Sequence, residues 1–514
     1  MKITLISPND PCWDFGTRIL SAILKKEGYE VRLLFIPFPA GQRAINKKDL
    51  KQIIFLSENS DLIGLSVKTN YFSGIRVITE ALKNSLDTPI IWGGTHPTIR
   101  PKECLNYADM VCIGEGEITL VNLLKNMEKG LDYKNILGLG YKNDNEVVIN
   151  KPNLLIDNLD SLPIPDYMCE NDYLLENGGF KKIDKNLLEK DLTRFTHTSK
   201  KKYKTYHTIT SRGCSFSCAY CCNSYLNKIN SGKKIRKKSV ESIITEFEAA
   251  KDMLPFINCI LINDDDFFFR SKDEISVFAK EYKERIGLPF WITGLIIPKY
   301  SNEKFSLLVG AGLKFIRLGI QSGSLQTRKM YRRYYSNEQI LKVARDINTF
   351  KHKIAAPSYD IILDNPWESD SDLTETIMLI SNLPKPYNIE TYSLTFYPGT
   401  GLYDKAKELG IIKDDIEQVY NRSYYAISPT YLNRLIQTLD IFSRKGLFIP
   451  PMFMSILTKP ILKKLKITYF LTHILEIIIF GLYYTDRFIY YSRHFSEFIT
   501  AINRKKMSCL WKLD

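Results

Sequence analysis

The chain has 514 residues, 44% of them hydrophobic and 25% charged, which excludes a disordered or low-complexity protein and also a single small domain. Lys and Arg number 71 against 57 Asp and Glu, a formal net charge of +14 that favours anionic contacts without choosing among phosphate, nucleic acid and acidic membrane faces. The apolar run that opens the chain breaks at Asn9-Asp10-Pro11, too early for a secretory leader, so the expected location is the cytoplasm. Ten cysteines in such a chain argue against a disulfide framework and for metal or catalysis where they crowd, and four of them fall between 214 and 222.

Residues 3–141 alternate short β-rich runs (3–8, 29–36, 62–67, 89–94, 110–116) with helical stretches. This rhythm predicts βαβ units and a doubly wound parallel sheet with helices on both faces. Turn residues follow the C-terminal ends of the runs: Ser7-Pro8-Asn9-Asp10, Gly93-Gly94-Thr95 and Gly114-Glu115-Gly116. A ligand of such a sheet lies over those ends. From 142 to 205 the periodicity fades into a Pro-containing, Lys-rich stretch expected to be a linker with one or two helices. Six further β-rich runs (207–212, 259–264, 290–296, 315–321, 358–364, 392–398) with helix-length spacers predict a partial (β/α)6 TIM-like barrel. After 410 the pattern turns helical and aromatic. The expected architecture is α/β: a doubly wound domain at 1–145, a linker at 146–205, a partial barrel at 206–410 and a helical C-terminal region at 411–514.

Cys214, Cys218 and Cys221 form a CxxxCxxC directly after the first barrel strand. Three thiolates on one short loop can hold three irons of a cubane cluster and leave the fourth iron open. Structural zinc usually takes a fourth Cys or His at finger-like spacing, and no partner CxxC occurs in the chain, although adjacent Cys222 could substitute. Inert thiols are the remaining reading.

This spacing, placed after a strand in a six-strand βα series, resembles the radical S-adenosylmethionine (radical SAM) superfamily. The resemblance extends to Arg212-Gly213, Tyr220, Asp264-Asp265 with Phe267, Gly319-Ile320-Gln321-Ser322-Gly323-Ser324, and Tyr397-Pro398-Gly399-Thr400. It implies a 4Fe-4S cluster on Cys214, Cys218 and Cys221, an open iron that chelates S-adenosylmethionine, and an electron that splits it into methionine and a 5′-deoxyadenosyl radical. It also implies S-adenosylmethionine contacts from Tyr220, from Asp264 and Asp265 toward the methionine amino group, and from Gln321 and Ser322 toward ribose or carboxylate. Read alone, the acids could be turn caps and the glycines mere turn residues. Two departures stand out: Gln321 occupies a position where an acid is common, and Asp364-Asn365-Pro366-Trp367-Glu368 replaces the usual Gly-rich turn after strand five.

The front loops, Ser66-Val67-Lys68-Thr69-Asn70, Gly93-Gly94-Thr95-His96-Pro97-Thr98, Gly114-Glu115-Gly116-Glu117 and Leu162-Pro163-Ile164-Pro165-Asp166, resemble the cobalamin-binding domain that precedes the barrel in the cobalamin-type radical SAM family. The resemblance implies cobalamin contacts from Ser66, Thr69, Asn70, Gly93, Gly94, Thr95, Gly114, Glu115 and Gly116. The six histidines are 96, 197, 207, 352, 473 and 494, so none supplies the usual early-loop axial ligand. The loop at 66–72, with Asn70 and Tyr71, is expected to face the lower axial side instead. His96, beside a proline, is expected to be a hydrogen-bonded turn residue rather than a ligand.

Residues 447–497 hold the densest apolar and aromatic stretch. Thr468, Thr472 and Glu476 share one helical stripe within 467–484, and Lys459, Lys463, Lys464 and Lys466 flank it, which predicts an amphipathic helix that caps the barrel or rests on anionic lipid. The basic run Lys233-Lys234-Ile235-Arg236-Lys237-Lys238 reads as a solvated face that could instead steer an anionic substrate or reductant. No RNA-binding barrel pattern follows residue 410, which argues against nucleic acid. The expected function is cobalamin-dependent C-methylation of an unactivated carbon in a small molecule, of lipid or isoprenoid type, with flavodoxin or ferredoxin as electron donor. A radical SAM enzyme that cyclises, rearranges or joins its substrate is the alternative, and a non-catalytic Fe–S or membrane-associated interaction protein is the reading from another class.

Overall fold

The computed structural model describes residues 1–464 apart from 9–13, 38–44, 144–145, 177, 196–201, 230–231 and 233–234. Nine strands make the first sheet: β1 (Lys2–Ser7), β2 (Glu30–Phe35), β3 (Leu62–Ser66), β4 (Ile90–Gly93), β5 (Met110–Cys112), β6 (Leu139–Asn143), β7 (Glu146–Ile149), β8 (Asp172–Glu176) and β9 (Gly179–Lys182). Their order is β7-β6-β5-β4-β3-β1-β2-β8-β9, parallel from β5 through β8 with antiparallel strands at both edges. The central strands are buried nearly end to end because helices cover both faces, which is why they read as unbroken apolar runs. Strand order reverses at β1, which pairs with β2 on one side and β3 on the other. A ligand crevice opens beside the C-terminal ends at such a reversal. Gly64 is fixed by this packing, since a Cβ there would lie 2.8 Å from Leu5 Cδ2.

The stretch 146–205 is more than the expected linker. It supplies β7, then β8 and β9 on the far side of β2, and then β10 (Thr193–Phe195) at the edge of the second sheet. β7, β9 and β10 lie at sheet edges and β8 one strand in, and all are short, so they lack the long apolar runs that reveal the central strands. One helix, Lys185–Asp191, is present there, with the Asp184 carboxylate accepting from the Leu187 N–H.

The second sheet runs β10, β11 (Lys202–Thr208), β14 (Cys259–Ile262), β15 (Phe290–Leu295), β16 (Leu313–Gln321), β17 (Ser358–Leu363) and β18 (Asn388–Ser393). The intervening β12 (Ser211–Arg212) and β13 (Arg236–Lys237) form a separate ribbon. The six strands β11 and β14–β18 are parallel and adjacent in chain order, with a helix-bearing segment between each pair, as a curled partial barrel requires. Side chains on β16 alternate between two environments. Ile316, Leu318 and Ile320 pack into the main core, whereas Phe315 packs with Tyr203, Cys259 and Trp291 in a separate cluster.

The C-terminal region folds back on the barrel end. Helix Tyr431–Arg444 packs on β18, and Arg444 pairs with Glu390 at 2.9 Å. Asp364, one of the departures noted in the sequence, holds a left-handed φ of +62° at the end of β17. Its carboxylate accepts from Ser393 Oγ at 2.6 Å, Ser428 N at 3.0 Å and Asn433 Nδ2 at 2.8 Å. No described helix is long and apolar enough to cross a membrane, and the expected amphipathic stretch 467–484 lies outside the described residues. Asp364→Ala removes the shared acceptor and keeps the left-handed strain, so it is expected to cost about 2 kcal/mol in urea denaturation. Asp364→Asn, which keeps an acceptor and tolerates that backbone, is expected to cost less.

Candidate active site

The loop that carries the three cysteines is held from every side. Asp264, at the end of β14, accepts from Thr210 N at 2.6 Å, Thr210 Oγ1 at 2.6 Å, Ser211 N at 3.1 Å and Ser211 Oγ at 2.8 Å. Asp266 accepts from Ser215 Oγ at 2.7 Å. Asn227 Nδ2 donates to the carbonyls of Cys214 and Phe216, each at 3.2 Å. Ala219 N donates to Tyr331 O at 3.1 Å, and its carbonyl accepts from Leu402 N at 2.9 Å. Cys214 and Cys218 are buried and Cys221 is half-buried.

Burial pushes the Cys214 thiol up to about 12. A hydrogen bond with Cys222, together with burial, pushes Cys221 up as well. Thiols in such a setting ionise only when a metal offsets the charge. Among the described residues no three His, Cys, Asp or Glu side chains converge as a single metal ion demands. Three thiols spread along one loop, two of them buried and one half-buried, suit one thiolate on each of three irons better than ligands on one zinc ion.

The three consecutive acids divide their work. The carboxylates of Asp264 and Asp266 are taken up by the loop, so Asp264 is not the free S-adenosylmethionine contact the resemblance implied. Asp265 alone opens onto the neighbouring cavity, with Asn223 as its hydrogen-bond partner, and burial raises its carboxyl to about 6. Tyr220 is packed edge-on against Tyr331 at 5.2 Å, and its hydroxyl has no partner among the described residues. Gln321 ends β16 in a left-handed conformation with φ +72°. The Ser322 hydroxyl is turned away toward Glu368 at 3.0 Å and Thr376 Oγ1 at 3.1 Å, so it serves the protein rather than a ligand. Burial brings Glu368 to about 7.

A cavity of about 490 Å³ lies where the C-terminal ends of the front sheet face the cysteine loop. Ser66, Gly93, Gly94, Thr95, Gly114, Glu115 and Gly116 line it from the front sheet, and Arg212, Gly213 and Asp265 from the barrel. At Gly94, with φ +106°, a Cβ would lie 2.9 Å from Val67 O, so only glycine fits. Thr69, Asn70 and Tyr71 do not line it. Thr69 Oγ1 sits 3.1 Å from His96 Nδ1, and Asn70 Nδ2 donates to Arg422 O at 3.0 Å, so this loop docks the domains instead of facing a ligand. His96 is fully buried between Phe72 and Tyr420, away from the cavity. A flat macrocycle over glycine-lined strand ends suits this space, and none of the described histidines lines it as an axial ligand.

Glu115 lines the cavity but spends its carboxylate on Arg212 at 3.0 Å and Arg236 at 2.6 Å, while Glu117 takes Arg212 at 2.6 Å. The basic run is likewise neutralised where it is described. Arg236 is paired with Glu115, Lys237 with Glu274 at 2.6 Å, and Lys238 with Glu246 at 2.5 Å. This leaves no anion-steering face on those three residues, and Lys233 and Lys234 lie outside the described residues.

Residues 1–124 match the B12 binding domain family, and residues 208–380 match the Radical SAM superfamily. The chain is a radical SAM protein with an N-terminal B12-binding domain. A 4Fe-4S cluster and S-adenosylmethionine come with the superfamily and cobalamin with the front domain. An uncharacterized methyltransferase of Pyrococcus horikoshii is 26% identical over 386 residues, 72% of this chain and 73% of that one. The cytidylyl-2-hydroxyethylphosphonate methyltransferase of Streptomyces wedmorensis is 24% identical, covering 66% of this chain and 68% of its own. The fold matches TsrM, a radical S-adenosylmethionine methyltransferase from Kitasatospora setae, with a TM-score of 0.62 at 17% identity over 79% of this chain and 76% of that one.

His96 gives the radical SAM protein a measurable acid sensitivity. Burial, with Arg100 nearby, lowers its pKa to about 3 from an ordinary value near 6.5, so the folded state holds the ring neutral. The unfolded chain binds the proton first, and this contribution to stability is full above about pH 6.5 and falls as pH drops toward 3. Comparing urea midpoints of wild type and His96→Gln across that window should show a shallower acid slope in the variant.

Proposed function

We propose that this chain is a cobalamin-dependent methyltransferase that modifies an unactivated carbon of a small molecule. The observation that carries the reading is the shared cavity: glycine loops of the B12-binding sheet and the Arg212-Gly213 approach to the cysteines open onto one space. When bound, the cluster supplies the electron that cleaves S-adenosylmethionine and cobalamin carries the methyl group. Cys214, Cys218 and Cys221 hold the cluster. Asp265 accepts a hydrogen bond from the methionine amino group of S-adenosylmethionine, while Asp264 and Asp266 fix the loop that presents it. Tyr220 and Gln321 border the same end of the barrel. Ser66, Gly93, Gly94, Thr95, Gly114 and Gly116 form the cobalamin floor, and Leu5, Leu65 and Leu120 beside them keep water out. A small one-electron carrier of flavodoxin or ferredoxin type provides the reductant.

Anaerobic assay of reconstituted protein tests this reading. Wild type should form 5′-deoxyadenosine and a product heavier by one CH2 unit, and Cys218→Ala should lose 5′-deoxyadenosine at least about 100-fold, the scale of a lost metal ligand shell. Normal 5′-deoxyadenosine from the variant would overturn the cysteine assignment, and a product lighter by hydrogen atoms would replace methyl transfer with ring closure.

The reading extends to an apolar, lipid or isoprenoid-like substrate met at an anionic membrane. Support comes from the exposed apolar residues Leu447, Met452, Phe453, Ile456 and Ile461, with Met452 and Ile461 each 68% exposed, directly before the apolar stretch that begins at 467. Sedimentation with anionic and neutral liposomes decides it: binding to anionic vesicles alone, weakened in Phe453→Ser/Ile461→Ser, is expected, and a protein that stays in the supernatant with both would sink the membrane contact.

A further inference from the structure

Arg333 lies in the turn after helix Leu325–Met330, next to Arg332, whose φ is +58°. The turn is fastened to the cysteine loop through the Ala219 N to Tyr331 O hydrogen bond of 3.1 Å. Arg333 is only 8% exposed. Its Nε donates to Cys218 Sγ at 3.1 Å, and its guanidinium carbon lies 5.8 Å from the centre of the Phe216 ring. Nη1 has no acceptor among the described residues and lies beside Gly319, where a Cβ would stand 3.7 Å away.

A guanidinium keeps its charge at every accessible pH, and an unpaired charge of that size is expensive to bury. The other buried cations of this end of the molecule are satisfied by oxygen: Arg212 and Arg236 pair with Glu115 and Lys238 with Glu246, while Arg270 donates to the carbonyls of Lys238 and Thr210 and Arg328 to those of Ser322 and Tyr335. Arg333 has no carboxylate within ion-pair distance among the described residues; its Nε donates to the sulfur of Cys218, and the Tyr335 hydroxyl is a further hydrogen-bond partner.

We propose that Arg333 is a positioning residue that sets the reduction potential of the cluster, by donating to the Cys218 sulfur and holding a fixed positive charge beside it. The inference rests on Cys218 being a cluster ligand. Adding an electron to a cluster increases its negative charge, so a nearby cation and an N–H on a ligand sulfur favour the reduced form and raise the potential. Their removal lowers it and makes the cluster harder to reduce.

Anaerobically reconstituted wild type, Arg333→Lys and Arg333→Gln are titrated electrochemically without S-adenosylmethionine, with the reduced cluster followed by electron paramagnetic resonance. Iron and sulfide content and the circular dichroism spectrum are measured on the same samples. Arg333→Gln is expected to shift the reduction equilibrium about tenfold toward the oxidised form, about 59 mV lower for a one-electron couple. Arg333→Lys, which keeps the charge and loses the Nε geometry, is expected to shift in the same direction and less. Variants with full iron content and the wild-type midpoint would overturn the proposal. If Arg333→Gln fails to fold or to hold iron, Arg333→Lys decides, a lowered midpoint supporting the role and an unchanged one overturning it. Wild type that takes up no iron would overturn the cluster reading itself, a result distinct from an intact cluster at an unchanged potential.

Discussion

The arrangement of this molecule depends on one group of charges, Glu115 between Arg212 and Arg236 with Glu117 alongside. Despite its burial, the two arginines hold the Glu115 carboxyl below its ordinary range. Glu115 belongs to the glycine loop that floors the cavity, and Arg212 stands two residues before Cys214. The same contacts therefore set the distance between the floor of the B12-binding sheet and the start of the cysteine loop. Buried charge groups of this kind add little compared with apolar packing, but leaving one member unpaired costs about 3–5 kcal/mol, which makes the docking geometry hard to relax. A second set of contacts, Arg100 to Tyr403 at 2.6 Å, Tyr420 to Glu103 at 2.8 Å and Asn70 to Arg422, closes the other side of the interface.

Much of this was legible in the sequence, and the boundary of legibility has a physical origin. Central strands such as β3 and β4 announce themselves because both faces are buried, so nearly every residue is apolar or glycine. The edge strand β9 and its neighbour β8 carry Asp172, Glu176, Lys181 and Lys182 and look like connector. The CxxxCxxC was readable because metal binding imposes local spacing. Which of three consecutive aspartates faces the cavity was not readable, because Asp264 is claimed by Thr210 and Ser211, 54 and 53 residues away in the chain. The bond that Asn70 makes was unreadable for the same reason: its partner, Arg422, is 352 residues distant.

The residues that carry a family resemblance and those that do chemistry overlap less than motif reading suggests. Ser322 and Glu368 both fall in recognisable stretches, yet they bond to each other and lock the ends of β16 and β17. Arg333 belongs to no motif noted in the sequence, and it touches a cysteine of the loop directly. A signal for it existed, a pair of arginines between tyrosines in Tyr331-Arg332-Arg333-Tyr334-Tyr335, but nothing local tells a buried guanidinium from a solvated one.

Asp364 carries a consequence for any exchange of parts in this chain. It accepts a left-handed backbone and offers one carboxylate to Ser393, Ser428 and Asn433. Two of those donors belong to the C-terminal region and the acceptor to the barrel. Neither half can be exchanged alone: a chimera pairing this C-terminal region with a barrel that has glycine at 364 would strand the Ser428 N–H and leave the Asn433 amide with the Ser428 carbonyl alone. Position 364 and the segment 428–433 must therefore be transplanted together, a graft whose boundary lies inside the cap rather than at the end of the barrel.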